Sequence, residues 1–399
     1  MWVCNRGEWA LTDIETSAVT IEELIDRTER LLPGFADRAL ETERARRIPD
    51  ESLREIEEAQ LNRILHPTRY GGLGLDYDAF FEVSWRIASA CPSTGWVFNV
   101  SSVHNWQAGL APEHAQEEFF AKGDVWSSSA FNPAGAKLEA TDGGWMLSGR
   151  WGFSSGCLHA DWFLLAALPP QSPPVLFMVP REDGRIEDTW YVSGLKGTGS
   201  NDIVIDEPVF VPGHRWVPML GSYPEGVAAH RRGSYGVPIP SLIPWTLVTP
   251  LIGMAQGALN AYEAKTRTRL TSITHEQVAK AAGPQMRIAE AAAAIEAARA
   301  LARQDIRELI ERGGRLDTFT DEDRVRFRRD HAYAANLAYD ATMMLARAMG
   351  ASSILETHPM QRFMRDAHAA AMHMVSAWDE QAEAYGRVRM GLEPNGQFW

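Results

Sequence analysis

Two histidines are the residues of this chain best suited to move a proton: His104, in NVSSVHNWQAG, and His373, in HAAAMHMVSA. The ordinary pKa of imidazole lies close to neutrality, so a positioned histidine can act as a general acid or base. His104, beside Asn105 and Trp106, could take a proton from a bound ligand. At both positions a buried structural histidine is the alternative. His368 is expected on another face of the helix that carries His373.

Two adjacent hydroxyls, Ser154 and Ser155 in WGFSSGC, are the second candidate group. They could hydrogen-bond a ligand or only close a turn at the end of a strand. Motifs for other chemistry are missing from the sequence, which has no GxxxxGK(S/T) phosphate loop, no GxSxG elbow, and no HExxH or cysteine cluster for zinc. Gly197 and Gly199 in GLKGTGSND lack the third glycine of a dinucleotide fingerprint. No metal is therefore expected.

The composition indicates a globular protein of two or three domains, since the chain has 399 residues. With 39 Lys and Arg against 52 Asp and Glu, the net charge of −13 argues against nucleic acid and anionic membranes as partners. Three cysteines without a CxxC pair predict a reducing, cytoplasmic location. The sequence has no run of 18 apolar residues, so no membrane-spanning helix is expected. The N-terminus does not have the form of a signal peptide. The 14 Trp hint at an aromatic-lined cavity.

Three zones of different pattern follow one another along the chain. Helical spacing dominates from about 19 to 118, with a candidate capping box at Thr20 and Glu23 and a further helix beginning at Pro49-Asp50. Short β-branched and aromatic runs fill 120–225: a hairpin at Asp142-Gly143-Gly144, then ADWFLLAAL, PVLFMVP, TWYVSG and NDIVIDEPVFVP. Long helices return from 240 to 390, including 321–349 and 358–388 on either side of a GASS turn.

This α–β–α order resembles the acyl-CoA dehydrogenase fold, and specifically its flavin-dependent monooxygenase branch of two-component aromatic hydroxylases and dibenzothiophene monooxygenase. The matching segments are YGGLGLDYDAFFEVSWRIASACPSTGWV, SGRWGFSSGCLHADW, SGLKGTGSNDIVIDEPVFVP and HPMQRFMRDAHAAAMH. The resemblance implies an α+β, mostly α, fold. It consists of an N-terminal helical domain (1–119), a central antiparallel β-sandwich or barrel (120–230), and a C-terminal four-helix bundle used for oligomerisation (231–399).

The dehydrogenase branch needs a carboxylate base to remove a proton next to a thioester. In that family a Glu commonly follows shortly after an Arg-Asp pair, but here Arg365-Asp366 is followed by no Glu before Glu380, and His373 stands about where the Tyr-Glu pair would be. The other known base position also fails, because 226–262 contains no Asp or Glu. The chain is therefore expected to be a monooxygenase.

The resemblance gives roles to the residues above. A flavin monooxygenase forms a C4a-hydroperoxide in a dry pocket. His373 is expected near the C4a atom of the flavin. His104 is expected to face the substrate, where it could deprotonate a bound phenol and make its ring more nucleophilic. One of Ser154 and Ser155 is expected at flavin N5, and the residues do not decide which. A pocket for the aromatic substrate is expected to include Trp106, Phe131 and Trp151.

The resemblance also assigns the rest of the flavin site. Cofactor-binding residues are expected in WSSSAFNPAG, at the GASS turn of a neighbouring subunit, and in TRTRL: Trp126, Ser128, Asn132, Ser352, Ser353, Arg267 and Arg269. A helix start after the GASS turn would favour a phosphate. Leu270-Thr271 replaces the Phe-Gly of the dehydrogenase RxxFG pattern, which favours reduced FMN over FAD, although FAD is possible. For either arginine, a solvated salt bridge is the alternative.

The expected enzyme is thus the oxygenase component of a two-component monooxygenase that hydroxylates a phenolic or other aromatic compound. Its partners are O₂, a separate NAD(P)H-dependent flavin reductase and, in a homotetramer, copies of the same chain. N- or S-oxygenation and an acyl-CoA dehydrogenase-like flavoprotein are alternatives on the same fold. A redox-inactive binding protein that kept the fold is a further alternative.

Overall fold

The structure, a computed structural model, describes residues 19–271 and 273–395. It is 60% helical, and its strands form a small region between two sets of helices. The mostly helical α+β class is confirmed. Cys4 lies outside the described residues.

From residue 19 onward, five α-helices precede the strands: α1 (Ile21–Ala45), α2 (Asp50–Glu58), α3 (Tyr77–Ala90), α4 (Pro92–Ala108) and α5 (Glu113–Phe120). The hydroxyl of Thr20 accepts a hydrogen bond from the backbone N–H of Glu23 at 3.2 Å, which caps α1. Pro49 directly precedes α2. Both predicted helix starts are therefore confirmed.

Helix α4 is buried on nearly every side although it carries many polar side chains. It packs closely on α3 at Gly95, where an added Cβ would lie 2.5 Å from the Cβ of Ala88. A buried polar group without a partner costs about 1–3 kcal/mol, so the partners of these side chains fix how α4 is seated. The buried polar residues of α4 include Asn99, Ser101, Ser102, His104, Asn105 and Gln107.

The strands form two four-stranded sheets. One has the order β1 (Ser127–Ala130), β4 (Trp162–Ala167), β5 (Val175–Pro180), β8 (Trp216–Pro218). The other has the order β2 (Ala136–Thr141), β3 (Gly144–Ser154), β7 (Asn201–Pro212), β6 (Arg185–Glu187). β1 is parallel to β4, and the other pairs are antiparallel. Thr141 pairs with Gly144 across the predicted hairpin turn, where Gly143 has φ +76°.

Two apolar layers hold this region in place. Between the sheets lie buried side chains such as Leu147, Phe163 and Ile203. On the outer face of the first sheet, Phe119 and Phe120 of α5 pack with Leu164, Leu176, Met178 and Val217. The sandwich is thus attached to the helices through α5 as well as through β1.

TWYVSG is not a strand, which corrects the prediction. The backbone N–H groups of Thr189 and Trp190 both donate to the Oδ1 of Asn201 at 3.1 Å, and the Trp190 indole donates to the Leu195 carbonyl at 2.9 Å. The backbone N–H groups of Thr189 and Trp190 are therefore bonded to a side chain and not to a neighbouring strand. The loop continues between α1 and α4, where a Cβ on Gly197 would lie 2.9 Å from the Cβ of Ser93.

Six helices follow the strands: α6 (Pro224–His230), α7 (Ile239–Thr268), α8 (Ala282–Gly314), α9 (Asp321–Met349), α10 (Pro359–Ala371) and α11 (Trp378–Arg389). The prediction for 321–349 is confirmed. The continuous helix predicted over 358–388 is wrong, because α10 ends at Ala371. His373 has extended φ and ψ of −67° and 140°, and its Nδ1 accepts from the Val375 N–H at 3.4 Å. This side chain caps a separate short turn.

Helix α7 is long and apolar enough to cross a membrane by length and composition, with a mean hydropathy of 1.3 in its most apolar window. Within that window, 83% of the residues are buried inside the protein. Such burial is what the central helix of a bundle shows, so α7 is weak evidence for a membrane span.

Two helical glycines allow a matched test of this packing. A Cβ on Gly253 of α7 would collide with the Trp85 carbonyl oxygen and lie 2.7 Å from the Ala88 Cβ, whereas Gly386 of α11 has open space around it. Alanine favours a helix over glycine by about 1 kcal/mol. We expect Gly386→Ala to raise the melting temperature. We expect Gly253→Ala to lower it, because overpacking costs about 1–3 kcal/mol. Equal shifts for the two variants in thermal unfolding would contradict close packing of α7 on α3.

Candidate active site

His104 of α4 is held against β1 in the protein interior. Its Nδ1 lies 3.3 Å from the carbonyl oxygen and 3.2 Å from the hydroxyl of Ser127, and the Ser127 N–H donates to the Ser101 hydroxyl at 3.1 Å. The side chain is only 1% exposed. Burial lowers the pKa of His104 to about 4, so its imidazole is neutral at pH 7.

The neighbours of His104 favour one tautomer of the ring. A carbonyl oxygen can only accept, so a hydrogen bond with the Ser127 carbonyl requires Nδ1 to carry the proton. Nε2 of the neutral ring then holds a free lone pair. This arrangement gives α4 a side chain that can accept a proton in a region away from bulk water.

A second contact joins β1 to the end of β3. The Ser154 hydroxyl donates to the Ser128 hydroxyl at 2.9 Å, and both side chains are fully buried. Consecutive residues of a strand point to opposite faces, so β1 presents Ser127 to His104 and Ser128 to Ser154. Each serine can accept further hydrogen bonds.

Ser155 points to a different set of partners. It accepts from the indole N–H of Trp96 at 3.1 Å, and its hydroxyl lies 2.8 Å from that of Ser200. The Trp96 ring is 6.2 Å from the ring of His373. Burial lowers the pKa of His373 to about 4, so it is neutral near pH 7. Trp96 therefore contacts both Ser155 and His373, and His373 stands at a helix break and not within a helix.

A backbone irregularity separates the two serines. The pairing of β3 with β7 shifts register between Trp151 and Ser154, and Phe153 in between has φ +63° and a side chain that is 78% exposed. Gly156, with φ +77°, then lets the chain pass α4, since a Cβ there would lie 2.9 Å from Val97. The bulge turns one hydroxyl to β1 and the next to α4.

Two tryptophans expected in the substrate pocket are buried in the core. Trp106 is fully buried, stacks on Tyr235 at 5.4 Å between ring centroids, and donates to the Ser234 hydroxyl at 2.9 Å. Trp151 fills the interior of the sandwich and donates to the Ala166 carbonyl at 2.8 Å. Both indoles are used in packing, and a place for Trp106 and Trp151 in the substrate pocket stays a prediction.

The residues of the WSSSAFNPAG segment differ in their burial and in their hydrogen-bond partners. Trp126 donates its indole N–H to Glu57 of α2 at 2.6 Å and is 5% exposed. Asn132 uses its Oδ1 to accept from the Ala134 N–H at 3.0 Å, which forms a turn. Phe131 is 42% exposed. Ser128 is thus the member of this segment that shares a hydrogen bond with the predicted serine pair.

Arg269 and the GASS turn meet within one chain. Arg269 donates to the Met349 carbonyl at 2.7 Å, next to Gly350, and the Ser353 hydroxyl donates to the Gly350 carbonyl at 2.7 Å. Ser352 is exposed. The helix start expected directly after this turn is absent there, since α10 begins only at Pro359. A phosphate at this turn would be met by hydroxyls and not by a helix N-terminus.

Arg267 forms a solvated salt bridge, which is the alternative to contact with the cofactor. Its side chain is 75% exposed and lies 3.2 Å from Glu263, one turn earlier in α7. Solvent-exposed pairs of this kind contribute little to stability, about 0–1 kcal/mol. The side chain of Arg267 stays a solvated partner of Glu263.

Two residues that the sequence did not single out hold the site together. Trp96 connects Ser155 to His373, as described above. Asp366 of α10 is 3% exposed and accepts from the Leu195 N–H at 2.5 Å, which ties α10 to the loop before β7. Burial raises the pKa of Asp366 to about 7. An acidic residue within an apolar helical face was the signal available for Asp366.

Comparisons with known proteins identify the family of the chain. The family models for the acyl-CoA dehydrogenase N-terminal and C-terminal domains match residues 22–120 and 245–378. The chain is similar to the flavin-dependent monooxygenase oxygenase subunit HsaA of Rhodococcus jostii (strain RHA1), with 37% identity over 92% of this chain and 98% of the relative. It is also similar to the oxygenase component of the FADH(2)-dependent resorcinol hydroxylase of Rhizobium sp. (strain MTP-10005), with 33% identity over 94% and 96%.

A solved structure extends the comparison to three dimensions. XiaF from Streptomyces sp., in complex with FADH2 and glycerol, superimposes with a TM-score of 0.85 at 29% identity over 95% of this chain and 98% of that chain. The match covers both sets of helices and the strands between them. The chain therefore belongs to the oxygenase components of the flavin-dependent monooxygenases, a family built on the acyl-CoA dehydrogenase fold.

Proposed function

We propose that this chain inserts one oxygen atom of O₂ into the ring of a phenolic compound, with reduced flavin delivered by a separate NAD(P)H-dependent reductase. The observation that carries the proposal is the buried, neutral His104 with its Nδ1 on Ser127. The relative named as a resorcinol hydroxylase supports an aromatic, hydroxyl-bearing substrate. The balanced reaction consumes substrate, O₂ and reduced flavin and yields hydroxylated product, water and oxidised flavin.

The donor set near Ser154 fits a flavin ring. An isoalloxazine presents donors and acceptors along one polar edge, and hydroxyls can serve either kind. Ser128 and Ser154 share a buried hydrogen bond, and Ser155, the next residue along the chain, accepts from the indole of Trp96. Bound reduced flavin supplies the two electrons and activates O₂. The protein holds the ring, excludes water and moves protons.

His104 acts as the base in this proposal. Its Nε2 accepts the phenol proton, which raises the electron density of the ring that is to be oxygenated. Nδ1 stays bonded to Ser127 and keeps the imidazole in place. His373, which contacts Trp96, would act as a proton donor or acceptor that limits release of H₂O₂.

For the flavin we propose reduced FMN as the preferred form, with reduced FAD accepted. Arg267 is paired with Glu263, and Arg269 with the Met349 carbonyl, so neither guanidinium is arranged for a second phosphate. The resorcinol hydroxylase relative is FADH(2)-dependent, which supports use of FAD as well. With either flavin, the isoalloxazine ring would contact Ser128, Ser154 and Ser155.

We further propose a homotetramer in the cytoplasm. Exposed apolar side chains directly flank residues expected at the flavin site, at Phe153, Ile354, Met372 and Met374, and a partner chain would cover them. Cys91 and Cys157 are buried free thiols, which fits a reducing compartment. Sedimentation of the purified chain measures the oligomeric state.

The function is tested by supplying the chain with NADH, a flavin reductase, O₂ and a set of phenols. We expect incorporation of one ¹⁸O atom from ¹⁸O₂ per product, with tighter binding of reduced FMN than of reduced FAD in anaerobic titration. Omission of the chain is the control, because free reduced flavin yields only H₂O₂. Flavin reduction by an acyl thioester, with no oxygen incorporation, would contradict the proposal.

Replacing His104 tests the base. We expect His104→Gln to lower kcat for a phenol by about 10²–10⁴-fold at pH 7, as for loss of one general base. The rate of the variant should rise with pH toward the phenol pKa, because solution then supplies the phenolate, while the wild-type rate changes little. His331→Gln is the control, since His331 is equally buried, with its pKa lowered to about 3 by burial, but lies beside Trp245 in the helical bundle. Parallel pH profiles for wild type and His104→Gln would remove the base role.

Replacing His373 tests the second histidine. We expect His373→Ala to lower the ratio of hydroxylated product to H₂O₂ more than it lowers flavin affinity, because it removes a group beside the flavin but few contacts with it. His368→Ala is the matched control, since His368 is exposed on α10 and contacts Tyr339 at 3.0 Å. If His373→Ala keeps normal coupling and a normal melting temperature, His373 has no part in the reaction.

A further inference from the structure

We propose that His114, Glu118 and His214 form a zinc site that joins α5 to the turn between β7 and β8. The three side chains meet on the side of the sandwich where α5 packs, and they share no residue with the cluster around His104 and Ser154. Among residues 19–271 and 273–395 they form a group whose ligand atoms all lie within 4.8 Å of one another. The proposal is independent of the flavin chemistry.

The spacing of the ligand atoms matches tetrahedral coordination. With metal–ligand bonds of about 2.0–2.1 Å, neighbouring ligand atoms in a tetrahedron lie about 3.3–3.4 Å apart. The Oε1 of Glu118 lies 3.3 Å from the Nε2 of His114 and 3.2 Å from the Nε2 of His214. The two imidazoles stack with 4.5 Å between centroids and 23° between planes, so at least one ring must rotate before both nitrogen lone pairs point at a single ion. That rotation would also bring the ligand nitrogens of the two histidines, which lie within 4.8 Å of each other, to the separation of a tetrahedral site.

Both elements that carry the ligands are held by the same packing. His114 and Glu118 are four residues apart and therefore share one face of α5. The turn with His214 is fixed by a hydrogen bond from the Arg215 N–H to the Pro212 carbonyl and by another from the Met178 N–H to the Arg215 carbonyl, each at 3.0 Å. Since α5 and Met178 belong to one apolar cluster, the ligands are positioned before a metal arrives.

The carboxylate of Glu118 is oriented by an outer contact. The Nε of Arg215 donates to Oε2 at 2.5 Å, which leaves Oε1 to the histidines. Partners of this kind orient metal-binding carboxylates in proteins. The guanidinium is itself placed over the Trp162 ring, 5.4 Å from its centroid, on the Oε2 side of the carboxylate. Its charge opposes a cation but does not occupy the position between the two Nε2 atoms.

The ligand types select the metal. Two imidazoles and one carboxylate suit Zn²⁺, and three protein ligands leave a fourth position for water. His114 has a side chain that is 69% exposed, so an ion can enter from solvent without opening the fold. An ion bound only by the folded chain stabilises that state, so zinc would hold α5 against the sandwich. Without zinc the same atoms form a hydrogen-bonded cluster around one carboxylate.

The test uses the full chain, with any histidine tag removed, after treatment with a chelator. We expect titration with ZnCl₂ to show one site per chain by calorimetry, and the melting temperature to rise with zinc concentration. We expect His114→Ala and His214→Ala to bind zinc at least about 10-fold more weakly, and Co²⁺ to give the intense visible bands of a tetrahedral site in wild type alone.

The control variant is His275→Ala, because His275 is also exposed but lies far along the chain from the cluster. It should bind zinc as the wild type does. His114→Ala replaces an exposed side chain, so it should fold even if His214→Ala does not, which keeps the test decisive. Absence of zinc binding, or equal zinc affinity in wild type and His114→Ala, would overturn the proposal and leave a hydrogen-bonded cluster.

Discussion

The arrangement of the site depends on one constraint, which is that α4 is a polar helix buried between other elements. Its side chains cannot reach water, and each unsatisfied polar group would cost about 1–3 kcal/mol. Ser101 and His104 meet this requirement by bonding to Ser127 of β1. These bonds therefore attach the first sheet to the helices and hold the imidazole in one orientation.

Burial also sets the chemical state of the two histidines. Desolvation disfavours the charged imidazolium, so the pKa of His104 and that of His373 both fall to about 4. A neutral histidine can accept a proton at pH 7, which a protonated one cannot. In a site without bulk water each such proton transfer is confined to the groups that the protein positions. The fold thus keeps neutral two side chains that would be partly charged in solution.

The family shares its fold with the dehydrogenases but differs in local chemistry. The stretch 226–262 contains no Asp or Glu, and the carboxylate of Asp366 is bonded to the backbone of Leu195. Asp366 thereby fixes the loop before β7 against α10 and is not free to abstract a proton from a substrate. Proton transfer is left to imidazole and hydroxyl groups, as a monooxygenase requires.

Much of the fold follows from local pattern, because helix periodicity, caps and turn residues act over a few positions. Helix 321–349, the α1 cap at Thr20 and the hairpin at Gly143 could be read in this way, and so could the candidates His104 and Ser154. The contacts that make a site are of another kind. Ser127 lies 23 residues from His104, Ser155 lies 59 from Trp96, and His214 lies 96 from Glu118. Only tertiary packing decided these partners, the burial of Trp106 and Trp151, and the break that places His373 outside α10, because side chains far apart in sequence have no local signal that they will meet.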